Sequence, residues 1–151
     1  MTEKETGLIL LKLSAFYGEG KSNTELMVKS WHEIIGEFEY FMAERAVREF
    51  AKNDTRAYST FPTPGSIYQA IADEERIYNR IFNAMVKSAE HLTDAKTEYE
   101  QLPEKAKRLI TAEAFIAVSE KSITDILECR EELIEVMKNA DFKYYLAEKG
   151  E

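Results

Sequence analysis

The chain has 151 residues, 28 acidic and 20 basic, for a formal net charge of −8, with 44% hydrophobic and 32% charged side chains. That balance excludes a disordered chain, and no apolar run approaches the 18 or more residues of a membrane span. A single cysteine, Cys129, excludes an internal disulfide and a cysteine-cluster metal site, and the negative charge argues against direct nucleic-acid binding, which needs Lys and Arg to displace counterions.

Apolar residues recur at the helical period almost throughout, and three prolines and six glycines are too few turns for a β fold, so the chain reads as all-α. The acidic start Met1-Thr-Glu-Lys-Glu is unlike a signal peptide, which fits an intracellular protein. Residues 5 to 17 carry Leu8, Ile9, Leu11, Leu13, Ala15, Phe16 and Tyr17, an apolar surface wide enough to predict a central helix buried on more than one side. After the turn Gly18 to Asn23, Ser22 and Glu25 have capping-box spacing before the series Val28, Trp31, Ile34, Ile35, Phe38, with Trp31 in the core. A third helix from about residue 39 places Ala43, Ala46, Val47 and Phe50 inward and turns Glu44, Arg45, Arg48 and Glu49 to water, ending at Asn53.

Phe61-Pro62-Thr63-Pro64-Gly65-Ser66-Ile67 is the clearest punctuation, with Thr63 as cap and Pro64 as first residue of a fourth helix. Its apolar positions Ile67, Ile71, Ile77 or Tyr78, Ile81, Met85 and Leu92 predict a helix to about residue 92, roughly 42 Å long at 1.5 Å per residue. Leu102-Pro103-Glu104 opens a short helix with Ala106, Leu109 and Ile110. One last helix carries Phe115, Val118, Ile123, Ile126, Leu127, Leu133, Ile134 and Met137. Residues 1–66 hold 8 basic and 10 acidic side chains and residues 67–151 hold 12 and 18. The reading is therefore a compact N-terminal helical bundle, 1–66, followed by a longer acidic helical arm, 67–151.

Ala15-Phe-Tyr-Gly-Glu-Gly20-Lys21-Ser22 approaches the phosphate-loop pattern, with alanine where the first glycine belongs. Such a loop joins a parallel strand to a helix. No later strands follow, Glu19 would repel a phosphate, and Ser22 reads better as a cap. His32 and His91 lie far apart without a Glu at metal-binding spacing: His32 reads as a helix-surface residue and His91 as a group near a helix C-terminus. Glu74-Glu75 and Glu131-Glu132 point about 100° apart on a helix, so they read as solvated faces. Cys129 reads as a half-buried small hydrophobe. The aromatic tail Phe142 to Leu146 either packs on its own arm or anchors a partner.

The succession Leu10-Leu11-Lys12-Leu13, Ala15-Phe16-Tyr17, Trp31-His-Glu-Ile34-Ile35 and Phe61-Pro62-Thr63-Pro64-Gly-Ser-Ile67 resembles the bacteriophage replicative-helicase loader and inhibitor family over the first 67 residues. The turn Gly18 to Asn23 departs from the proline-containing turn often found there. The resemblance implies a non-enzymatic phage or prophage DNA-replication protein, without a cofactor, in the cytoplasm of a bacterial host. In that family the C-terminal part engages a hexameric replicative helicase of the DnaB type, silences its ATPase and delivers it to an origin-binding phage protein. Carried onto this chain, the partner-binding candidates are Leu102, Pro103, Leu109, Ile110, Leu133, Ile134, Phe142 and Tyr145. The N-terminal domain around Phe61 to Pro64 is left for the origin protein or another copy. The alternative is an acidic, DNA-mimicking helical inhibitor of another nucleic-acid enzyme, whose binding would collapse with salt.

Overall fold

A computed structural model describes residues 1–18, 24–56, 60–90 and 94–151. Among them the protein is all-helical, as its periodicity predicts, with nine helices and no strand. They form two compact units, Met1–Glu75 and Arg76–Glu151.

The first unit begins with α1, Glu3–Tyr17, under a complete capping box: Thr2 Oγ1 accepts from the Glu5 N–H and the Glu5 carboxylate accepts from the Thr2 N–H. Helix α1 buries Thr6, Ile9, Leu10 and Leu13 against α2, Glu25–Ile35, and α3, Tyr40–Asn53. It is central, but buried on a narrower front than its sequence predicts, since Leu8, Leu11 and Phe16 stay exposed. The cap of α2 is Thr24, whose hydroxyl accepts from the Met27 N–H; the predicted cap Ser22 and the phosphate-loop-like Gly20-Lys21-Ser22 lie outside the described residues. Trp31 is buried and packs edge-on against Phe61 with ring centroids 6.1 Å apart.

Two side chains expected at the surface turn inward. Glu44 is 1% exposed and ion-paired with Lys12 of α1, because α3 is buried continuously from Phe41 to Glu44 and again at Ala46 and Val47. His32 is half-buried, with Nδ1 3.0 Å from the hydroxyl of the fully buried Thr6. Its ring and carbonyl also close the turn after α2. A Cβ built on Gly36 would meet the His32 carbonyl oxygen and, at 2.6 Å, the imidazole ring.

The fourth helix, α4, Pro64–Ala89, starts at the predicted proline, with Thr63 Oγ1 accepting from the Ser66 N–H at 3.2 Å. The sequence predicts a domain boundary at residue 66; the two units divide inside α4, between Glu75 and Arg76. Ile67 and Ile71 are fully buried in the first unit, and Tyr78, Ile81, Phe82 and Met85 are buried in the second.

The rest of the second unit is α5, Ala95–Glu100; α6, Glu104–Lys107; α7, Ala112–Ser119; α8, Ile123–Glu128; and α9, Arg130–Lys149. The single last helix of the sequence reading is thus three. Thr111 and Ser122 each cap a new start by accepting the N–H three residues on, from Ala114 and Asp125, the side-chain competition that makes such residues helix starters. Phe82, Ala89 and Ile126 form a core cluster under Val86, Val118, Ile123 and Leu133. The Tyr78 hydroxyl donates to the Asp141 carboxylate at 2.6 Å in the interior, tying α4 to α9.

Two substitutions test these contacts. Gly36→Ala forces the added methyl into His32 and should cost about 1–3 kcal/mol, the usual penalty of overpacking, read as a lowered melting temperature. Tyr78→Phe takes a donor from a carboxylate 3% exposed, and should cost about 1–3 kcal/mol by denaturant titration.

Candidate partner-binding surfaces

Of the eight partner-binding candidates, the structure buries Leu102, Leu109 and Tyr145, at 5%, 5% and 7% exposure. Leu102 and Leu109 flank the fully buried Ala106 and pin α6 to the unit. Pro103 is the N-cap residue of α6, and Ile110, half-buried, offers its carbonyl to the Tyr99 hydroxyl at 3.1 Å. Leu133 packs on the Phe82 cluster and Ile134 is half-buried. Only Phe142 is exposed, stacked on Tyr145 at 6.2 Å, with the Lys149 ammonium 4.8 Å above the Tyr145 ring. The eight therefore do not make one surface. The exposed apolar side chains of this unit are Leu127, Val136, Phe142 and Tyr144.

A better-formed surface lies in the first unit, on residues the sequence reading gave to the core or passed over. Leu26 is 75% exposed and Ile34 40% exposed, although the helical period predicts Ile34 in the packed series. With Met27, Trp31 and Pro64 they line an open trough of about 420 Å³ between α2 and the start of α4. Helix α2 carries two apolar stripes. Trp31 and Ile35 face the core, while Leu26, Ser30 and Ile34 fall on an i, i+4, i+8 row about 120° away. The Ser30 hydroxyl donates back to the Leu26 carbonyl at 2.9 Å, so it asks nothing of an occupant. Beside this row stand the exposed Glu33 and Glu37, the latter accepting from the Tyr68 hydroxyl, which raises the tyrosine pKa. Glu25 holds Lys29 at 2.7 Å.

A second cleft, of about 320 Å³, lies between α1 and α3, lined by Phe16, Tyr17, Arg48, Lys52 and Asp54. Its end is a brace. Arg56 grips both Asp54 oxygens and the Tyr17 hydroxyl donates to the same carboxylate at 2.6 Å. The guanidinium also lies over the Tyr17 and Phe50 rings, 5.7 and 5.6 Å from their centroids. Arg56 first, then Tyr17, holds the Asp54 carboxyl well below its ordinary 3.8. Burial first, then Asp54, raises the Tyr17 phenol above its ordinary 10.0.

Charge divides differently once the units are known. The first holds 8 basic and 13 acidic residues, net −5, and the second 12 and 15, net −3. The excess read as belonging to an acidic arm comes from Asp73, Glu74 and Glu75, which lie in the first unit, where Glu74 is held by Arg45 at 2.8 Å. Among the described residues no group of three His, Cys, Asp or Glu side chains is placed to hold a metal ion, and no helix is long and apolar enough to cross a membrane. His91 lies outside the described residues; Cys129 is half-buried where α8 gives way to α9.

No family model matches the chain, and no curated protein or solved structure matches it. The likeness to the helicase loaders therefore rests on the residues quoted from the sequence.

The brace has a pH signature. The depressed carboxyl of Asp54 contributes stability that is complete above its unfolded value of 3.8 and disappears as pH falls toward its lower folded value; the raised phenol contribution is complete below 10.0 and is lost as pH climbs past it. The melting-temperature gap between the wild type and Asp54→Asn should be flat from about pH 5 to 9 and should close below about pH 4. A gap that persists unchanged into acid would show that the carboxylate is not what stabilises this corner.

Proposed function

We propose that this chain is a non-enzymatic phage or prophage replication protein that binds a hexameric replicative helicase of the DnaB type, restrains its ATPase and helps load it. The observation that carries the reading is that each unit keeps large apolar side chains in water. The first keeps Leu26 and Ile34 beside the α2 trough, and the second keeps Leu127, Val136, Phe142 and Tyr144. Of these, the first pair lines a continuous trough, and a contiguous exposed apolar surface marks a site of protein association. The likeness of the first 67 residues supplies the identity of the partner, and the family's habit of using its C-terminal part assigns the helicase contact to the second unit.

Within that reading the contact passes to the side chains that reach solvent. Phe142 is the exposed member of the eight candidates and Val136 the most exposed large apolar side chain of this unit; they lie about 120° apart on α9, so each offers an apolar contact on its own face. Inhibition then follows if one helicase conformation fits this surface better than another, since a binder shifts an equilibrium only by its differential affinity for the two states. Loading requires that a third protein, such as an origin-binding protein, displace the contact.

The test is ATPase inhibition of a purified DnaB-type helicase by the full chain. Inhibition should track complex formation, and the double variant Val136→Ser, Phe142→Ser should need about tenfold more protein for half inhibition, equivalent to about 1.4 kcal/mol of binding, with its melting temperature preserved. A helicase untouched by saturating protein refutes the reading. Inhibition that vanishes between about 50 and 200 mM salt would instead mark a charge mimic of DNA.

A further inference from the structure

The α2 trough is not needed for a helicase contact on the second unit, and its chemistry specifies an occupant. Its walls are mainly apolar and it is open, which suits an extended ridge rather than an enclosed small molecule. The row Leu26, Ser30, Ile34 places a small side chain between two large ones at four-residue spacing. That is a notch into which the side chain of a crossing helix inserts, as ridges of one helix pack into grooves of another. Pro64 on the opposite wall has no N–H, so an occupant passing it masks no donor there.

Among the described residues the exposed charges next to the Leu26–Ile34 row are acidic. Glu33 and Glu37 are exposed next to the Leu26–Ile34 row, and the cation of α2, Lys29, is held by Glu25. The whole first unit carries −5. An acidic segment would be repelled, a second copy would bring the same glutamates face to face, and a segment with lysine or arginine beside its apolar stripe would be drawn in.

We propose that this trough is a docking site for a basic amphipathic helix of a second partner protein, with leucine-like side chains over Leu26, Trp31 and Ile34 and flanking cations on Glu33 and Glu37. The proposal rests on the reading of this chain as a protein that acts by contact, and it adds the chemistry of a partner other than the helicase.

The only tryptophan of the chain, Trp31, lines the trough and reports on it directly. Full-length protein is titrated with a synthetic amphipathic helix of leucine and lysine, with its leucine–glutamate counterpart, and with a scrambled leucine–lysine peptide of the same composition. Trp31 emission should shift and saturate with the first peptide alone. Leu26→Ser or Ile34→Ser, both at exposed positions and checked for unchanged helicity, should weaken that binding about tenfold. Glu33→Gln with Glu37→Gln should weaken it severalfold, and Glu131→Gln with Glu132→Gln in the second unit should leave it unchanged. Equal binding of the acidic or scrambled peptide, wild-type affinity in the trough variants, or self-association through this face in sedimentation would overturn the proposal. Helicase inhibition that survives Leu26→Ser leaves the helicase reading standing if peptide binding fails; peptide binding without helicase inhibition leaves the trough standing alone.

Discussion

Glu44 and Asp141 sit at 1% and 3% exposure in the interiors of the two units, and the packing of each unit has to satisfy them. A carboxylate taken out of water costs several kcal/mol unless partners replace its hydration, so the helix that carries one is fixed against the helix that supplies the partner. Lys12 fixes α3 on α1 through Glu44, and Tyr78 fixes α9 on α4 through Asp141. Glu98, 8% exposed, does the same for α5 through Lys87 of α4 at 2.7 Å. Apolar burial drives these helices together, and a slip of one turn, about 5.4 Å, would separate each carboxylate from its partner, which adds to the register that close packing sets.

The same residues explain how far the sequence could be read. Helix identity was legible, because Ile67, Ile71, Tyr78, Ile81 and Met85 keep the helical period without interruption and Thr63-Pro64 announces the start of α4. The choice of Tyr78 over Ile77 was not: the two compete for the same stripe, and what decides is the Asp141 carboxylate 63 residues away, needing a donor. Glu44 was read as solvated for the matching reason, that its cation lies on another helix. The last helix reads as continuous because its apolar positions are; its two breaks fall at Ser122, whose hydroxyl caps α8, and at Cys129, where α9 starts without a side-chain cap, and a hydroxyl caps only where the chain has already turned.

The candidate site was least legible. A helix whose sequence shows one apolar stripe does not say whether a core or a partner covers it, so Leu102, Leu109 and Tyr145 read as partner-binding and are core, while Ile34 read as core and is exposed. The one local signal was on α2. Leu26 and Ile34 fall outside the Trp31–Ile35 stripe, by about 160° and about 80°, and a helix with two stripes has one more than a single core contact uses. The Leu8 and Leu11 positions on α1 carry the same kind of excess without a concave neighbour to make it a site.

Keeping Leu26 three-quarters exposed has a consequence for how the molecule works. Full burial of such a side chain is worth about 1.5–3 kcal/mol, and folding alone leaves most of it unrealised. That free energy becomes available only when something covers the trough, so it counts toward association rather than toward the stability of the free chain. The glutamates beside it act earlier and more weakly, at distances of about 8–10 Å where salt screens them, selecting which segments approach before the apolar row decides which stay. Separating the two steps on one helix face lets the trough reject acidic chains, including copies of its own, while holding a basic one by contacts that salt does not weaken.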